Sequence, residues 1–185
     1  MKKSRFNIKT ICMIGIMAAL VFVGTNLRIK IPAGIDGTMI HFGNVFCLLG
    51  GLLFGGLPGG LAAGFGSALF DLFSEYAAEA WITFINKFAM GFIAGLIAHW
   101  GISKSKSMLR SIIAAVCGSL TYCVLYVGKT IIMQRFVYGL PWEGVFGVVA
   151  IKGTVTLING MIAVVASLLL FMVLKPALKR AHILE

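Results

Sequence analysis

Residues 55–73 read GGLPGGLAAGFGSALFDLF and contain one charged residue, Asp71. Small side chains recur every four residues, at Gly59, Ala63 and Ser67, and this spacing puts Asp71 on the same helical face. Small residues at such a spacing let two helix backbones approach closely inside a membrane. The stretch therefore predicts a tightly packed helix that carries a carboxylate towards its C-terminal end.

A matching run lies in the next apolar segment, where Lys87, Gly91 and Gly95 share one helical face. The two helices are consecutive and antiparallel, so close packing brings Asp71 near Lys87. Two interpretations of this pair stay open. The residues either form a mutual ion pair or shape one wall of a binding site.

The composition places these helices in a membrane. Of the 185 residues, 59% are hydrophobic and only 12% are charged, and the mean hydropathy is +1.00. A soluble domain of this size cannot bury so much apolar surface, and a disordered chain has the opposite composition. Since a helix needs about 20 residues to cross the hydrocarbon, the chain has room for roughly six or seven crossings.

Six apolar segments are separated by glycine, proline or charged residues. We expect an all-α membrane protein, a single six-helix transmembrane domain over residues 1–185. A polar loop is expected over residues 28–38, and the last helix is expected to end before Pro176. The expected helices cover residues 10–27, 39–54, 58–73, 81–100, 109–137 and 142–174.

The distribution of charge predicts the orientation. Six crossings put both termini on one side, and that side is cytoplasmic because cytoplasmic loops collect Lys and Arg. The net charge of +10 is then explained by topology and not by nucleic-acid binding. The cytoplasmic side holds ten of the sixteen basic residues and one acid, Glu185: Lys2, Lys3, Arg5, Lys9, Lys104, Lys106, Arg110, Lys175, Lys179 and Arg180. The outer side holds the other five acids: Asp36, Asp71, Glu75, Glu79 and Glu143.

Several polar residues interrupt the apolar segments, and burying them is costly enough to make each a candidate for function. With a rise of ~1.5 Å per residue, five of them fall at one level, about 20–24 Å from the cytoplasmic end. They are His41, Asp71, Lys87, Tyr126 and Asn159. This convergence predicts a polar cavity open to the outside. The candidate substrate-binding residues are His41, Asn44, Asp71, Asn86, Lys87, Tyr126, Lys129, Lys152 and Asn159.

Some of these candidates have a second interpretation. His41 could bond the backbone at the start of the second helix, and Lys129 and Lys152 could reach the lipid headgroups. Lys152 nevertheless shares a helical face with Thr156, Asn159 and Ala163, which favours an inward stripe. Four aromatic residues are expected to anchor the outer interface, with one or two free to stack on a ligand: Tyr76, Trp81, Tyr138 and Trp142.

The sequence offers no catalytic constellation. It contains no HExxH and no GxSxG motif, and its four cysteines lie in apolar runs without a CxxC pair. We therefore expect no enzymatic activity, no metal and no cofactor.

Two runs carry a resemblance to a known family. Residues 37–44 read GTMIHFGN and residues 83–91 read TFINKFAMG. Together with the glycine-rich third helix and six helices in under 200 residues, they resemble the substrate-binding S component of an energy-coupling factor (ECF) vitamin transporter. The resemblance covers nearly the whole chain and is nearest to the hydroxymethylpyrimidine or pyridoxine-type subfamily, with riboflavin and pantothenate as further possibilities.

The resemblance implies a multi-pass protein of the bacterial plasma membrane that captures a small vitamin or precursor at its outer face. A membrane coupling subunit and two cytoplasmic ATPase subunits would then be its partners. Small residues four apart on the first helix, here Gly15 and Ala19, would contact the coupling subunit. Packing within the chain is the alternative for these two residues, and a stand-alone secondary transporter or channel is the alternative function.

Overall fold

The computed structural model describes residues 8–34, 37–100, 108–181 and 183. Within them the chain forms six α-helices and one two-stranded hairpin. In chain order these are α1 (Ile8–Asn26), β1 (Arg28–Ile31), β2 (Thr38–His41), α2 (Gly43–Phe54), α3 (Gly56–Leu72), α4 (Ala80–His99), α5 (Met108–Ile132) and α6 (Trp142–Arg180). A 3₁₀ turn, Ala77–Glu79, precedes α4, and a π-helical turn, Met133–Val137, follows α5.

Four helical stretches are long and apolar enough to cross a membrane: Ile8–Asn26, Ala77–His99, Met108–Val137 and Trp142–Arg180. The other two helices are shorter, with 12 residues in α2 and 17 in α3. At ~1.5 Å per residue α2 is about 18 Å long, and the four residues of β2 add about 13 Å at ~3.3 Å each. Strand and helix together thus reach the ~30 Å thickness of the hydrocarbon.

The hairpin corrects the expectation of an all-helical chain. We expected a polar loop over residues 28–38 and a helix from residue 39, but β1 and β2 pair antiparallel, with Arg28 opposite His41 and Ile31 opposite Thr38. Three of the eight strand residues are Ile and one is Thr, whose branched Cβ suits a strand better than a helix. Gly34 and Gly37 take φ of 67° and 62° in the connection, a conformation that favours glycine.

Two other boundaries differ from expectation. The segment after α4 is α-helical only to Ile132 and continues as the π-helical turn. The last helix runs through Pro176 to Arg180 instead of ending at Leu174, and the Ala181 N–H still bonds the Ala177 carbonyl. A proline removes one N–H donor and crowds the carbonyl four residues before it, but the N–H groups of the residues that follow can still bond, so the helix continues to Arg180.

The glycine-rich faces pack as the sequence predicts, and α3 with α4 forms the largest contact between helices. A methyl group built on Gly91 would lie 2.7 Å from the Gly59 carbonyl oxygen and 3.2 Å from Ala63 Cβ. The helix α2 joins the same contact, because a methyl group on Gly51 would lie 2.5 Å from the Gly91 carbonyl oxygen. Three backbones meet here with no space for a side chain.

A second glycine row on α3 accepts aromatic rings. The rings of three phenylalanines spaced four residues apart on α4 run along it, two pairs of them stacked with centroids 6.1 Å and 5.5 Å apart. Each ring lies against one glycine: Phe84 against Gly64, Phe88 against Gly60 and Phe92 against Gly56. Glycines on two faces of α3 thus fix its distance from both α2 and α4.

Seven of the charged residues from which the orientation is predicted lie outside the described residues: Lys2, Lys3, Arg5, Asp36, Lys104, Lys106 and Glu185. Six crossings, a single domain over the whole chain and cytoplasmic termini stay predictions from the sequence.

We call the end of the helix bundle at which β1 and β2 lie the hairpin end, and the other end the opposite end.

The backbone contact at Gly91 predicts an asymmetry between two glycine substitutions. Gly91→Ala should lower the thermal midpoint of the protein in detergent, because overpacking against backbone costs about 1–3 kcal/mol. Gly147→Ala is the matched control, since a methyl group there meets nothing within 4 Å and alanine stabilises a helix interior. Equal midpoints for the two variants in differential scanning fluorimetry would contradict the packing described.

Candidate functional site

The side chain of Asn159 joins α6 to the outer edge of β2. Its Oδ1 accepts the N–H of His41 at 3.1 Å, and its Nδ2 donates to the carbonyl of Met39 at 2.8 Å. These are the two bonds that a neighbouring parallel strand would make. One buried amide therefore takes the place of a third strand.

His41 adds a second fixed point at the start of α2. Its Nδ1 accepts the Gly43 N–H at 3.1 Å, so the backbone interpretation of this histidine is confirmed. The Nε2 atom then carries the proton of the neutral ring and remains a donor. A larger residue at Gly43 is excluded, because a methyl group would collide with the Thr25 hydroxyl.

A cavity of about 70 Å³ lies beneath the hairpin and between the helices. All six helices or their hairpin-end connections contribute to its wall. Seven of the nine predicted binding residues line it: His41, Asp71, Asn86, Lys87, Tyr126, Lys129 and Asn159. The five residues that the depth count put at one level are all among them, and contact of the seven with a ligand stays a prediction.

Lys87 is 4% exposed and faces the cavity from α4. Its ammonium donates to Asn44 Oδ1 and lies 3.7 Å from the centroid of the Tyr122 ring. Asn44 is fully buried and does not line the cavity, so it lies behind Lys87 as its anchor. A buried ammonium held by an amide and an aromatic face is stabilised without a direct carboxylate partner.

The predicted ion pair between Asp71 and Lys87 is not formed. The two residues face the same cavity and interact electrostatically, but among the described residues Asp71 has no cation within 4.0 Å. Thr83 is its hydrogen-bonding neighbour on α4. The reason is that Lys87 turns towards Asn44 on α2, a contact that neither helix periodicity nor depth reveals.

Lys129 forms the ion pair that the sequence did not predict. Its ammonium binds Glu79 Oε2 in the 3₁₀ turn and lies 5.8 Å from the centroid of the Tyr126 ring. The side chains of this pair are only 12% and 15% exposed. Lys129 therefore does not reach for the headgroups, and the pair links α5 to the connection between α3 and α4.

Lys152 lies inside the bundle but away from the cavity. It is 2% exposed, which rules out an ammonium extended to the headgroups. The inward stripe predicted on α6 is confirmed, since Thr156, Asn159 and Ala163 are buried with it. Only Thr156 and Asn159 of this stripe line the cavity, so Lys152 is not part of its wall and a role of Lys152 in binding stays a prediction.

The cavity wall also contains residues that sequence reasoning missed or read otherwise. Ser67 and Thr156 lie on faces already marked as inward, so their spacing could have found them. Thr25 lies in the last turn of α1, and the others lie in the hairpin, in connections or one turn from a marked residue. The missed or reassigned residues are Thr25, Gly37, Thr38, Met39, Ser67, Tyr76, Glu79, Ile82, Thr83, Tyr122 and Thr156.

A wider opening of about 550 Å³ lies next to the cavity at the hairpin end, and we call it the vestibule. Four residues line both spaces and so separate them: Gly37, Thr38, Tyr76 and Glu79. Tyr138 lines the vestibule but not the cavity. Two of the four expected aromatic anchors thus face internal openings, whereas Trp81 and Trp142 are exposed as expected.

Ion pairs hold the hairpin to the vestibule rim. The Glu75 carboxylate lies 2.6 Å from Lys30 Nζ, which donates a hydrogen bond to it, and 3.6 Å from Arg28 Nη2, with which it forms an ion pair. The hydrogen bond from Lys30 lowers the pKa of the Glu75 carboxyl below its usual value. The carboxylate is therefore ionised at neutral pH, and β1 is tied to the segment that carries Tyr76 and Glu79.

Comparison with known proteins gives one family over most of the chain. The sequence model of the family described as "ECF-type riboflavin transporter, S component" matches residues 5–176. A Pyrococcus woesei protein described as an uncharacterized protein in the gap 3' region is 31% identical over 104 residues, which are 56% of this chain and 70% of that protein. UPF0397 proteins from two strains of Clostridium perfringens are each 40% identical over 101 residues, which are 55% of this chain. The matched part is 51% of each, so this chain spans about half the length of these two relatives.

The bonds of Asn159 predict a specific loss of stability. Asn159→Ala leaves the His41 N–H and the Met39 carbonyl without partners, and each unsatisfied buried group costs about 1–3 kcal/mol. We expect a lower thermal midpoint and faster amide hydrogen exchange in β2. Asn26→Ala is the control, because that exposed side chain bonds only the Phe22 carbonyl of its own helix. Unchanged exchange of the His41 amide in Asn159→Ala would show that Asn159 does not hold the strand.

Proposed function

The chain belongs to the S-component family of ECF-type riboflavin transporters, multi-pass membrane proteins that bind substrate and are not themselves enzymes, and we propose that it captures a small vitamin for import. The ligand would be a water-soluble vitamin or precursor, with riboflavin, hydroxymethylpyrimidine and pyridoxine-type molecules as the first candidates. An ATP-driven module in separate subunits would supply the energy.

The observation that carries this proposal is the polar cavity beneath the hairpin. Specific small-molecule sites combine apolar walls with a few fixed polar groups, and here the polar groups come from several helices and the hairpin. A cavity of about 70 Å³ holds a few waters, whereas typical ligand pockets measure roughly 300–1,000 Å³. The ligand therefore enters from the vestibule by displacing the wall that the two spaces share.

The proposed orientation puts the hairpin end outside. Five described basic residues and no described acid lie at the opposite end: Lys9, Arg110, Lys175, Lys179 and Arg180. At the hairpin end, Arg28, Lys30 and Arg135 are accompanied by Glu75, Glu79 and Glu143. Cytoplasmic loops collect positive charge, which favours the opposite end as the cytoplasmic one. Both the vestibule and the cavity would then be reached from the outside. This arrangement suits a protein that captures its ligand there and releases it inward.

The proposed partner contact lies on the outer face of α1. Gly15 and Ala19 are exposed, and a methyl group on Gly15 would meet nothing within 4 Å. The alternative of packing within the chain is therefore wrong for Gly15. Small residues on an open helix face let another membrane helix approach closely, which supports a docking face for a coupling subunit.

The test of the proposed function is binding by the purified protein. Titration in detergent with riboflavin, hydroxymethylpyrimidine, pyridoxine and pantothenate should give saturable binding of at least one compound, read by intrinsic fluorescence or calorimetry. Native mass spectrometry of gently purified protein provides an independent search for a retained small molecule. Uptake into liposomes by the protein alone would instead favour the stand-alone transporter.

Lys87→Ala should weaken this binding by about tenfold or more, since hydrogen bonds to charged groups contribute roughly 1.5–3 kcal/mol. Its thermal midpoint without ligand should also fall, because Asn44 and Tyr122 lose their partner. Lys179→Ala, at the opposite end of α6, is the control and should keep wild-type affinity. Equal affinities of the two variants would show that Lys87 does not contribute to ligand binding.

Bulk on the outer face of α1 should separate binding from uptake. Gly15→Leu and Ala19→Leu should keep the affinity of the isolated protein, because neither side chain would meet the cavity. Both should abolish vitamin uptake by cells that contain the coupling subunits, because leucine would keep the partner helix away. Gly147→Leu, at an open position on α6, is the control. Normal uptake by the two α1 variants would refute the docking face.

A further inference from the structure

Four charged side chains face the cavity, and their charges cancel. Lys87 and Lys129 contribute two positive charges, and Asp71 and Glu79 contribute two negative ones. His41 adds no charge when its Nδ1 accepts the Gly43 N–H and only Nε2 carries a proton. A ligand that adds a net charge would upset this balance in a site with little water to screen it.

Both ammonium groups already have partners within the protein. Lys129 is paired with Glu79, and Lys87 is held by Asn44 and by the face of the Tyr122 ring. An anionic ligand group that took Lys129 would strand the Glu79 carboxylate, whose side chain is only 15% exposed. Removing one partner of a largely buried pair is strongly unfavourable, so Lys129 is not available for an anion at low cost. Lys87 has no carboxylate within 4.0 Å among the described residues, and its charge is balanced at longer range by Asp71, so an anion bound to it would leave Asp71 uncompensated.

The two carboxylates of the cavity wall, in contrast, have fewer partners than their oxygens can accept. Glu79 Oε1 is buried and, among the described residues, has no hydrogen-bond partner. Asp71 is 5% exposed and has Thr83 as its neighbour but no cation within 4.0 Å in the described part of the chain. Buried carboxylate oxygens require donors, and the cavity is the space from which a donor can come.

From this distribution of partners we infer that the ligand presents hydrogen-bond donors, and no anionic group, to the wall formed by Asp71 and Glu79. Hydroxyl, amino or ring N–H groups satisfy this requirement, whereas carboxylate and phosphate do not. The inference rests on the proposed function and narrows its substrate class. Neutral vitamins with several donors fit, and anionic vitamins and phosphate esters are rejected.

The first experiment compares neutral compounds with their anionic counterparts on the wild-type protein. The pairs are riboflavin with riboflavin 5′-phosphate and pyridoxine with pyridoxine 5′-phosphate, and pantothenate is added as a carboxylate. The neutral member of a pair that binds should bind at least about tenfold more tightly. Equal or tighter binding of the phosphate ester or of pantothenate would overturn the inference and leave the proposed function standing. Absence of binding by every compound would count against both.

Isosteric variants then test the wall itself. Asp71→Asn and Glu79→Gln should each weaken binding of the neutral ligand by about tenfold or more, because a charged acceptor is lost. Glu79→Gln should at the same time strengthen binding of the phosphate ester, since Lys129 is no longer paired with a carboxylate. Glu143→Gln, an exposed residue in the first turn of α6, is the control and should change neither affinity.

The decisive measurement is whether Glu79→Gln changes the affinities for the neutral ligand and for the phosphate ester in opposite directions. Weakening of neutral ligand and ester by the same factor would mean that Glu79 only supports the fold, and the inference would fail. Thermal midpoints of all variants are measured alongside, so that loss of folded protein is recognised. The comparison of neutral and anionic compounds on the wild-type protein tests the preference for neutral ligands even where a variant does not fold.

Discussion

The outer edge of β2 is satisfied by one side chain, that of Asn159. Backbone N–H and C=O groups buried without a partner are costly, so a buried strand edge needs such a substitute for a neighbouring strand. The inner edge of β2 is paired with β1, and the amide of Asn159 bonds the Met39 carbonyl and the His41 N–H on the outer edge. The short helix α2 can begin at Gly43 because β2 extends the chain along the rest of the bundle. The cavity is closed on this side because the hairpin lies over it.

The cavity forms where the close packing of helices ends. Along α3 the contacts with α2 and α4 run through glycine, and the face then carries Ser67 and Asp71. Along α4 the same change occurs in the opposite direction, from Gly95 and Gly91 to Lys87. Glycine draws the backbones together at one end, and larger polar side chains keep them apart at the hairpin end. The same helices therefore provide both the rigid base and the wall of the site.

The charged residues and the histidine of the cavity wall, Glu79 apart, could be predicted from the sequence, because an ionisable residue in an apolar segment is costly and its depth can be counted. Depth and helical face found Asp71, Lys87 and Asn159 but could not show partners on other elements. The bond of Lys87 to Asn44 and the pair of Lys129 with Glu79 depend on where a connection or a third helix lies. The hairpin was missed because its apolar residues continue the run that becomes α2.

Polar residues around the cavity also join separate parts of the fold. Asn159 links α6 to β2, Lys87 links α4 to α2, and Lys129 links α5 to the 3₁₀ turn. The helix α1 reaches the same region, since Thr25 lines the cavity and the Gly24 carbonyl accepts the Phe42 N–H at 3.1 Å. Its other face, with Gly15, is open. The helix α1 thus contacts the cavity on one side and leaves Gly15 open on the other, where we propose that a partner docks. Because the Phe42 N–H bonds α1 directly, a movement of the hairpin would also displace this helix.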